Sequence, residues 1–385
     1  MKTVGILCEY NPFHNGHQKQ IAWIRGQFGE DAAIVCLMSG DYVQRGEPAV
    51  FDKALRAEAA LRAGADLVLE LPILQALSSA EGFADGGVEI LEQLGVDALC
   101  FGAENAEIEV LLSTAALLLR EEFSECLREM LTQKISFAAA RQRAVEALGG
   151  GGTLLQKPNN ILGVEYCKAI LRRGARIRPV VLRRDGDYHA QTPELENPSA
   201  SALRAGMDSP DWLRYTPAAA LFRDARRHTL KIGERAVLAR LFAMSDAEFA
   251  ALPFGAEGLW SAFRKACRTQ GTVEDILSAA KSKRYARARL QRMLLCAFLG
   301  ITQADLQGKA PYVRVLGFSD CGRKALRRMH RESALPLLHA GQRAPQCRYR
   351  ELEERAARLY PLFAETALRP EREQVISISR RAERS

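Results

Sequence analysis

The sequence has no long apolar run and no cysteine pair at metal-binding spacing. None of the apolar runs in its 385 residues approaches the roughly 20 residues that a membrane-spanning helix needs. The amino terminus has one lysine and no cleavable signal pattern, so we expect a cytoplasmic protein. The nine cysteines are scattered and include no CxxC pair, which argues against a disulfide framework or a zinc site. No Cys–His or Ser–His–Asp arrangement indicates a covalent catalyst.

The charge is distributed unevenly along the chain. The formal net charge is +8. Residues 1–205 carry a net −6 and residues 206–385 a net +14. A basic second half is typical of a domain that binds a polyanion, although a solvated arginine-rich surface would give the same count. Because 385 residues can form two domains, we divide the chain at residue 205.

The first 205 residues alternate between strand and helix patterns. Continuous apolar runs, typical of strands buried on both faces, lie at 4–8, 33–38, 66–71, 98–101 and 177–182. Helical patterns lie between or near them at 17–27, 49–63, 80–94, 107–131, 136–148 and 161–172. This alternation predicts a doubly wound parallel sheet, an α/β Rossmann-like fold. Helical patterns dominate after residue 206, apart from an extended segment at 311–318, so we expect a mainly helical second domain.

The turn His14-Asn15-Gly16-His17 lies between the first strand and the first helix. Free N–H groups at a helix N-terminus favour an anion such as phosphate. Gly16 has no side chain to keep a phosphate away from the backbone. His14 and His17 can each donate a hydrogen bond to phosphate oxygens, most strongly when protonated. The turn therefore predicts a nucleotide-triphosphate site at the carboxyl edge of the sheet.

Three further loops follow strands at the same predicted edge: Met38–Pro48, Glu70–Pro72 and Phe101–Asn105. The first has two glycines, two carboxylates and an arginine. In the third, Gly102 would let an adenine lie flat against the backbone. Each loop alone fits ordinary turn chemistry, but their shared position favours a common site.

Two later segments have polar side chains at predicted helix starts. Ser199 and Ser201 precede Arg204, and hydroxyl groups with an arginine one turn on predict a second anion site. An ordinary serine cap is the alternative. Asn159 and Asn160 precede another helix, where an amide either caps the helix or recognises a base or ribose.

The densest basic run extends from Lys281 to Arg292. Cations at helical spacing neutralise backbone phosphates, and the tyrosine within the run could stack on a base. A solvated basic helix face is the alternative. The candidates for RNA binding are Lys281, Lys283, Arg284, Tyr285, Arg287 and Arg289.

The histidine turn and the late Ser199–Arg204 segment resemble the HxGH nucleotidylyltransferase superfamily. Further stretches resemble the bacterial tRNA(Met) cytidine acetate ligase family, over most of the chain. These stretches are Gly5–His17, Met38–Gly40, Gln44–Ala49, Lys157–Gly163 and Lys283–Tyr285.

The resemblance implies an activity that the motifs alone would not reveal. Members of that family use ATP and acetate to make acetyl-adenylate, then acetylate N4 of the wobble cytidine of elongator tRNA(Met). Residues 1–205 would form the ATP-binding domain and residues 206–385 the tRNA-binding domain. Mg²⁺ is expected to accompany ATP. Carried over by position or proposed from the motifs, the residues expected at the ATP site are Leu7, Cys8, Glu9, Tyr10, Asn11, Pro12, Phe13, His14, Asn15, Gly16, His17, Gln18, Lys19, Gln20, Gly102, Asn159, Asn160, Arg183, Ser199 and Ser201.

Specific roles can be assigned as hypotheses. Adenylation needs no protein nucleophile, only positioning and charge stabilisation. We expect His14 and His17 to stabilise the phosphates, and Ser199, Ser201 and Arg204 to hold the leaving pyrophosphate. Arg45 and Lys19 are candidates for acetate binding. Asp41 could assist at the cytidine amine.

Two other functions remain open at the level of the sequence. An adenylyltransferase acting on a small phosphorylated metabolite would explain the histidine turn but not the basic half. A non-catalytic, nucleotide-regulated RNA-binding protein would explain the charge but not the paired phosphate motifs.

Overall fold

A computed structural model of the protein describes residues 1–133, 135–184, 198–282, 285–366 and 375–379. Within these ranges, no helix is both long and apolar enough to cross a membrane. The strands are β1 Thr3–Cys8, β2 Ala33–Ser39, β3 Tyr42–Val43, β4 Glu47–Pro48, β5 Leu67–Leu71, β6 Ala98–Ala103, β7 Arg178–Arg183, β8 Val313–Ser319, β9 Leu337–Leu338 and β10 Ile376–Ile378.

Helices lie between most of these strands and make up most of the chain between β7 and β8. The α-helices are α1 Asn15–Phe28, α2 Lys53–Arg62, α3 Ile73–Ala76, α4 Ala80–Gln93, α5 Ile108–Leu118, α6 Glu121–Thr132, α7 Phe137–Ala147, α8 Pro158–Arg173, α9 Ala200–Ala205, α10 Ala219–Phe222, α11 Glu234–Ala243, α12 Asp246–Ala250, α13 Leu259–Thr269, α14 Val273–Ala280, α15 Arg287–Leu299, α16 Asp320–Glu332 and α17 Arg348–Leu359. Short 3-10 helices lie at Gly152–Gln156, Pro210–Tyr215, Asp305–Gln307 and Tyr360–Phe363.

One mixed sheet forms the centre of the molecule, with the strand order β10-β8-β5-β2-β1-β6-β7. The five strands predicted from apolar runs (β1, β2, β5, β6 and β7) are present and pair in parallel. The predicted α/β fold class is therefore confirmed. The 311–318 segment contains β8, which pairs antiparallel to β5.

The sheet also takes strands from beyond residue 205. Both β8 and β10 lie in the same sheet as β1. The division of the chain at residue 205 and the mainly helical second domain stay predictions, and the extended segment expected at 311–318 forms β8. The helical pattern at 107–131 is two helices, α5 and α6, which are separated at residues 119–120.

Apolar side chains on both faces of the sheet hold its strands in place. Alternate residues of β1 point to opposite faces, as the pleat requires, so Val4 and Ile6 pack with α1 on one side and Leu7 packs on the other. Each fully buried aliphatic side chain contributes about 1.5–3 kcal/mol of transfer free energy. In register, Cys8 at the end of β1 lies beside Met38 in β2. This rigid core therefore fixes where the loops at the carboxyl edge begin.

Candidate functional site

The histidine turn is held by hydrogen bonds to its own backbone. His14 is the N-cap residue of α1, and the Gly16 N–H donates to its Nδ1 at 3.1 Å. The His14 N–H donates to His17 Nδ1 at 3.2 Å. The two imidazole rings stack with centroids 3.7 Å apart. A Cβ at Gly16 would lie 3.1 Å from a His14 ring carbon, so glycine lets the ring fold back over the turn.

Both histidines are neutral hydrogen-bond donors. Burial, with a smaller effect of the Arg184 charge, lowers the pKa of His14 to about 3. Burial and the charges of His14 and Arg184 lower the pKa of His17 well below its usual value. Because each Nδ1 accepts a backbone hydrogen bond, the ring proton lies on Nε2. The turn therefore offers two neutral Nε2–H groups, and stronger donation by protonated rings stays a prediction.

Several residues expected at the ATP site serve as the scaffold of the turn. Tyr10 packs edge-on against Phe13 and His17, with ring centroids 4.8 Å apart in each pair. These contacts orient the second histidine. The side chains buried in the core are Leu7, Cys8, Tyr10, Pro12 and Phe13.

The polar residues of the same segment differ in their contacts. Asn11 Oδ1 accepts a 2.7 Å hydrogen bond from the Val50 N–H, which ties the turn to the segment before α2. Gln20 Nε2 donates to the Cys100 carbonyl in β6 at 3.3 Å. Asn15 Nδ2 donates weakly to the Arg214 carbonyl. Gln18 and Lys19 are exposed on the surface of α1.

The late serine–arginine motif lies against the histidine turn, as the sequence predicts. Arg204 Nη1 donates to the Asn11 carbonyl at 2.8 Å, and its Nη2 is 3.6 Å from a Glu47 oxygen. Arg45 Nη1 donates to Ser201 Oγ at 3.4 Å. Ser199 caps α9 in the ordinary way through the Ala202 N–H. Residues 193 positions apart thus meet at one edge of the sheet.

Glu9 links the turn to the loop that follows β2. Its Oε1 accepts a 2.7 Å hydrogen bond from the Gln44 N–H. Burial raises the pKa of Glu9, while the Gln44 hydrogen bond and the Arg204 and Arg45 charges oppose that shift. The carboxylate is thus a fixed part of the site.

Arg184, and not Arg183, is the arginine placed next to the other nucleotide-site residues. A Cβ at Gly102 would lie 2.7 Å from the Arg184 side chain. Arg184 Nη1 is 3.4 Å from Asn159 Oδ1. Arg183 is exposed at the end of β7. The choice of Arg183 from the sequence is corrected accordingly, because successive side chains of a strand point to opposite faces.

The two asparagines have separate structural roles. Glu104 accepts a hydrogen bond from Asn159 Nδ2 and another from the Asn160 N–H, each at 2.8 Å. Asn160 is buried, and its Oδ1 accepts from the Asn105 N–H. Neither caps α8, whose N-cap is Lys157. Asn159 is therefore the amide nearer to Arg184.

Asp41 does not lie with the histidine turn. It lines a cavity of about 240 Å³ together with Lys53, Glu70 and Glu353, and the lining includes no described residue of 7–20. Its Oδ2 is 3.7 Å from Lys53 Nζ. The sequence reasoning missed Lys53 and Glu353. For Glu70, the one indication in the sequence is its place in the polar segment at a strand end.

The described RNA-binding candidates mostly have partners within the chain. Tyr285 donates its hydroxyl proton to the Glu257 carbonyl, and Arg287 pairs with Glu274. Arg289 donates to the Phe254 carbonyl and lies over the Tyr285 ring. Lys281 is exposed just after α14. The remaining two candidates, Lys283 and Arg284, lie outside the described residues.

Helix α15, which contains the second half of this basic run, docks on the loop after β2. Arg292 Nη1 donates to the Gln44 carbonyl at 3.1 Å, and Gln291 Nε2 donates to Glu47 at 3.3 Å. A Cβ at Gly46 would overlap the backbone of residues 291 and 292. Since Gln44 also binds Glu9, a short chain of contacts joins α15 to the histidine turn.

The arrangement suits phosphate binding more than metal binding. The groups around the turn are imidazole N–H, guanidinium and hydroxyl groups, which complement phosphate oxygens. Within the described part of the chain, no group of three or more His, Cys, Asp or Glu side chains is placed to hold a metal ion.

Comparisons with known proteins agree with this geometry. A model of the family described as HIGH Nucleotidyl Transferase matches residues 1–374. The chain is 33% identical over 365 residues to a tRNA(Met) cytidine acetate ligase of Acetivibrio thermocellus, covering 88% of each protein. It is 34% identical over 371 residues to the protein of the same name from Ligilactobacillus salivarius, covering 94% of this chain and 96% of that one.

Solved structures extend the similarity to three dimensions. The crystal structure of apo Thermotoga maritima TmcAL matches with a TM-score of 0.90 and 29% identity, over 98% of this chain and 100% of that one. The same protein bound to alpha-thio ATP matches with a TM-score of 0.86 and 28% identity, over the same shares.

Proposed function

Because the chain belongs to the tRNA(Met) cytidine acetate ligase family, we propose that it activates acetate with ATP and acetylates N4 of the wobble cytidine of elongator tRNA(Met). The observation that supports this proposal most strongly is the stacked pair of neutral Nε2–H donors on His14 and His17. Arg204 is bonded to the same turn, and the Arg184 charge acts on both histidines. Such a cluster favours the triphosphate of ATP. The related protein Thermotoga maritima TmcAL has been crystallised with the ATP analogue alpha-thio ATP.

In the first step, an acetate oxygen attacks the α-phosphorus of ATP. The new bond is O–P, and the bond between the α-phosphorus and the bridging oxygen of pyrophosphate breaks. Negative charge builds up on the leaving pyrophosphate, so positioned donors lower the barrier. His14 and His17 supply such donors without the need to gain or lose a proton.

The neighbouring cations have separate roles in this proposal. Arg204, with Ser199 and Ser201, holds the leaving pyrophosphate. Arg184 replaces Arg183 as the arginine that faces the nucleotide, alongside Asn159. Arg45 and Lys19 are the candidates for binding acetate. The contact between Arg45 and Ser201 supports a position for Arg45 next to the phosphates.

In the second step, the N4 lone pair of cytidine attacks the acetyl carbonyl carbon. The carbon–oxygen bond to the phosphate breaks, AMP leaves, and a carboxylate accepts the proton from N4. Asp41 is proposed as that carboxylate. The basic run that leads into α15 would hold the RNA, and the contact of Arg292 in α15 with the loop after β2 supports this position.

Mg²⁺ is expected to arrive with ATP, bound mainly by its phosphate oxygens. It would neutralise part of the phosphate charge. The donor groups of the turn complement phosphate oxygens and not a cation.

The test is incubation of the protein with ATP, labelled acetate and elongator tRNA(Met). Label in the tRNA, released as N4-acetylcytidine after digestion, supports the proposal. Pyrophosphate release with a phosphorylated metabolite, without label in tRNA, would favour the adenylyltransferase alternative. ATP binding without any turnover would favour the non-catalytic alternative.

A further inference from the structure

Two adjoining cavities lie beside the loop after β2, and none of the residues proposed for acetate activation lines them. Their volumes are about 240 and about 80 Å³. Both are lined by Asp41, Lys53, Glu70 and Arg314. Neither lining includes a described residue of 7–20. Because Asp41 follows β2 and Glu70 lies in β5, the neighbour of β2, the cavities lie at the carboxyl edge of the sheet.

A lysine and two carboxylates form the shared wall. Lys53 Nζ is 2.8 Å from Glu70 Oε1 and 3.7 Å from Asp41 Oδ2. Burial alone would lower the pKa of Lys53, but Asp41 and Glu70 raise it above its usual value, so the ammonium group stays charged. Gly40 is needed for this arrangement, because a Cβ there would overlap the Glu70 carboxylate.

A third carboxyl group comes from α17. Glu353 Oε2 accepts a 3.0 Å hydrogen bond from the Tyr312 hydroxyl and lies 3.9 Å from Arg314 Nε. Burial and the nearby Glu70 carboxylate raise the pKa of Glu353 to about 7. The larger cavity thus has carboxyl acceptors and cationic donors side by side.

His228 in the smaller cavity is an independent sign of a ligand. The side chain is only 3% exposed, and its Nδ1 has no hydrogen-bond partner among the described residues. Its ring stacks on Tyr360 with centroids 3.9 Å apart. Burial lowers the pKa of His228 to about 4, so the ring is neutral. Buried polar atoms in native proteins are normally paired, and this one lines an open space.

These groups select one kind of ligand. The four carboxyl groups that line the larger cavity disfavour acetate or phosphate, and its three cations disfavour a simple amine. A neutral ring that carries an exocyclic amine next to a ring acceptor fits both sets of partners. Aspartate and glutamate accept hydrogen bonds from the N4 amine of cytosine, and proteins read unstacked RNA bases on this edge.

We propose that the larger cavity is the pocket for the target cytosine of the tRNA. The Asp41 and Glu70 carboxylates accept from the N4 amine, while Lys53 and Arg314 donate to the ring acceptors. This inference rests on the proposed function and extends it from activation of acetate to recognition of the base.

The pocket is tested by binding of two full-length tRNA(Met) transcripts, with cytidine or uridine at the wobble position. The wild-type protein is expected to bind the cytidine transcript about tenfold more tightly. In Glu70→Gln and Asp41→Asn this preference should fall about tenfold, because a carboxamide N–H can donate to the uracil oxygen. Glu58→Gln, on the surface of α2, is the matched control and should keep the preference.

Acetate-dependent exchange of pyrophosphate into ATP, measured without tRNA, separates this proposal from the proposed function. The wild type and the control variant Glu58→Gln should exchange at the same rate. The assignment of the pocket to the cytosine would be overturned by an unchanged preference for cytidine in both variants. Equal binding of the two transcripts by the wild type would overturn it as well. If Glu70→Gln does not fold, Asp41→Asn decides alone. Lack of exchange in the wild type would instead overturn the proposed function.

Discussion

At the scale of single residues, the central feature is the neutrality of the two histidines. The sequence predicts their position, because a short polar turn between an apolar run and a helical pattern is a local signal. It does not predict their protonation state, which depends on burial against Tyr10 and Phe13 and on the nearby charge of Arg184. The sequence also favours Arg183, whereas the structure places Arg184 beside Gly102 and Asn159. An error of one residue in the position of a strand end reverses the face on which a side chain lies.

The two nitrogens of His14 can be tested separately. In His14→Asn, the side chain can still cap α1 but cannot donate from the Nε2 position. We expect acetate-dependent pyrophosphate exchange to fall about 100-fold with little change in melting temperature. His14→Gln should retain more exchange but lose about 1 kcal/mol of stability with the cap. Wild-type exchange in His14→Asn would show that the imidazole does not contact the phosphates.

Glu353 should make stability depend on pH in a predictable direction. Its pKa is raised to about 7 in the folded protein, so the folded state favours the protonated form. The stability contributed by this group is complete below the usual carboxyl pKa and is lost as pH rises through about 7. Relative to Glu353→Gln, the wild type should therefore lose unfolding free energy between pH 5 and pH 8. Urea unfolding at several pH values measures this, and a constant difference would contradict it.

At the scale of elements, the contact between α15 and the loop after β2 joins the basic region to the site. The separate elements follow from apolar periodicity, and most of the strands and helices of the first 205 residues lie where the sequence predicts them. The docking does not follow from the sequence, because Gln44 and Arg292 are almost 250 residues apart. Nor does periodicity show that β8 completes the sheet beside β5.

Gly46→Ala tests whether this docking matters. Gly46 has a φ of +81°, and a Cβ there would overlap the backbone of α15. We expect a loss of about 2–3 kcal/mol in unfolding free energy and weaker pyrophosphate exchange, because Gln44 also positions Glu9. Gly341→Ala is the matched control, with the same φ of +81° and open space around it. An equal loss in both variants would mean that backbone strain alone, and not the docking, is responsible.

At the scale of the whole molecule, the site is assembled from distant parts of the chain. Arg204 meets the histidine turn, and Glu353 meets Asp41 and Glu70 around the cavity. Composition and charge predict that one part of the protein faces a polyanion. They cannot tell which distant carboxylates meet, because no local pattern encodes a tertiary contact. The sequence therefore indicates the cavity only in part, through the polar residues Asp41 and Glu70 near the ends of two strands.

The separation of acetate activation from transfer to RNA is the central claim. It is tested most directly by exchange of labelled pyrophosphate into ATP with acetate present and no tRNA. The exchange is expected to require acetate and to fall about 100-fold in His14→Asn. Exchange that proceeds equally without acetate, or that appears only when tRNA is added, would contradict it.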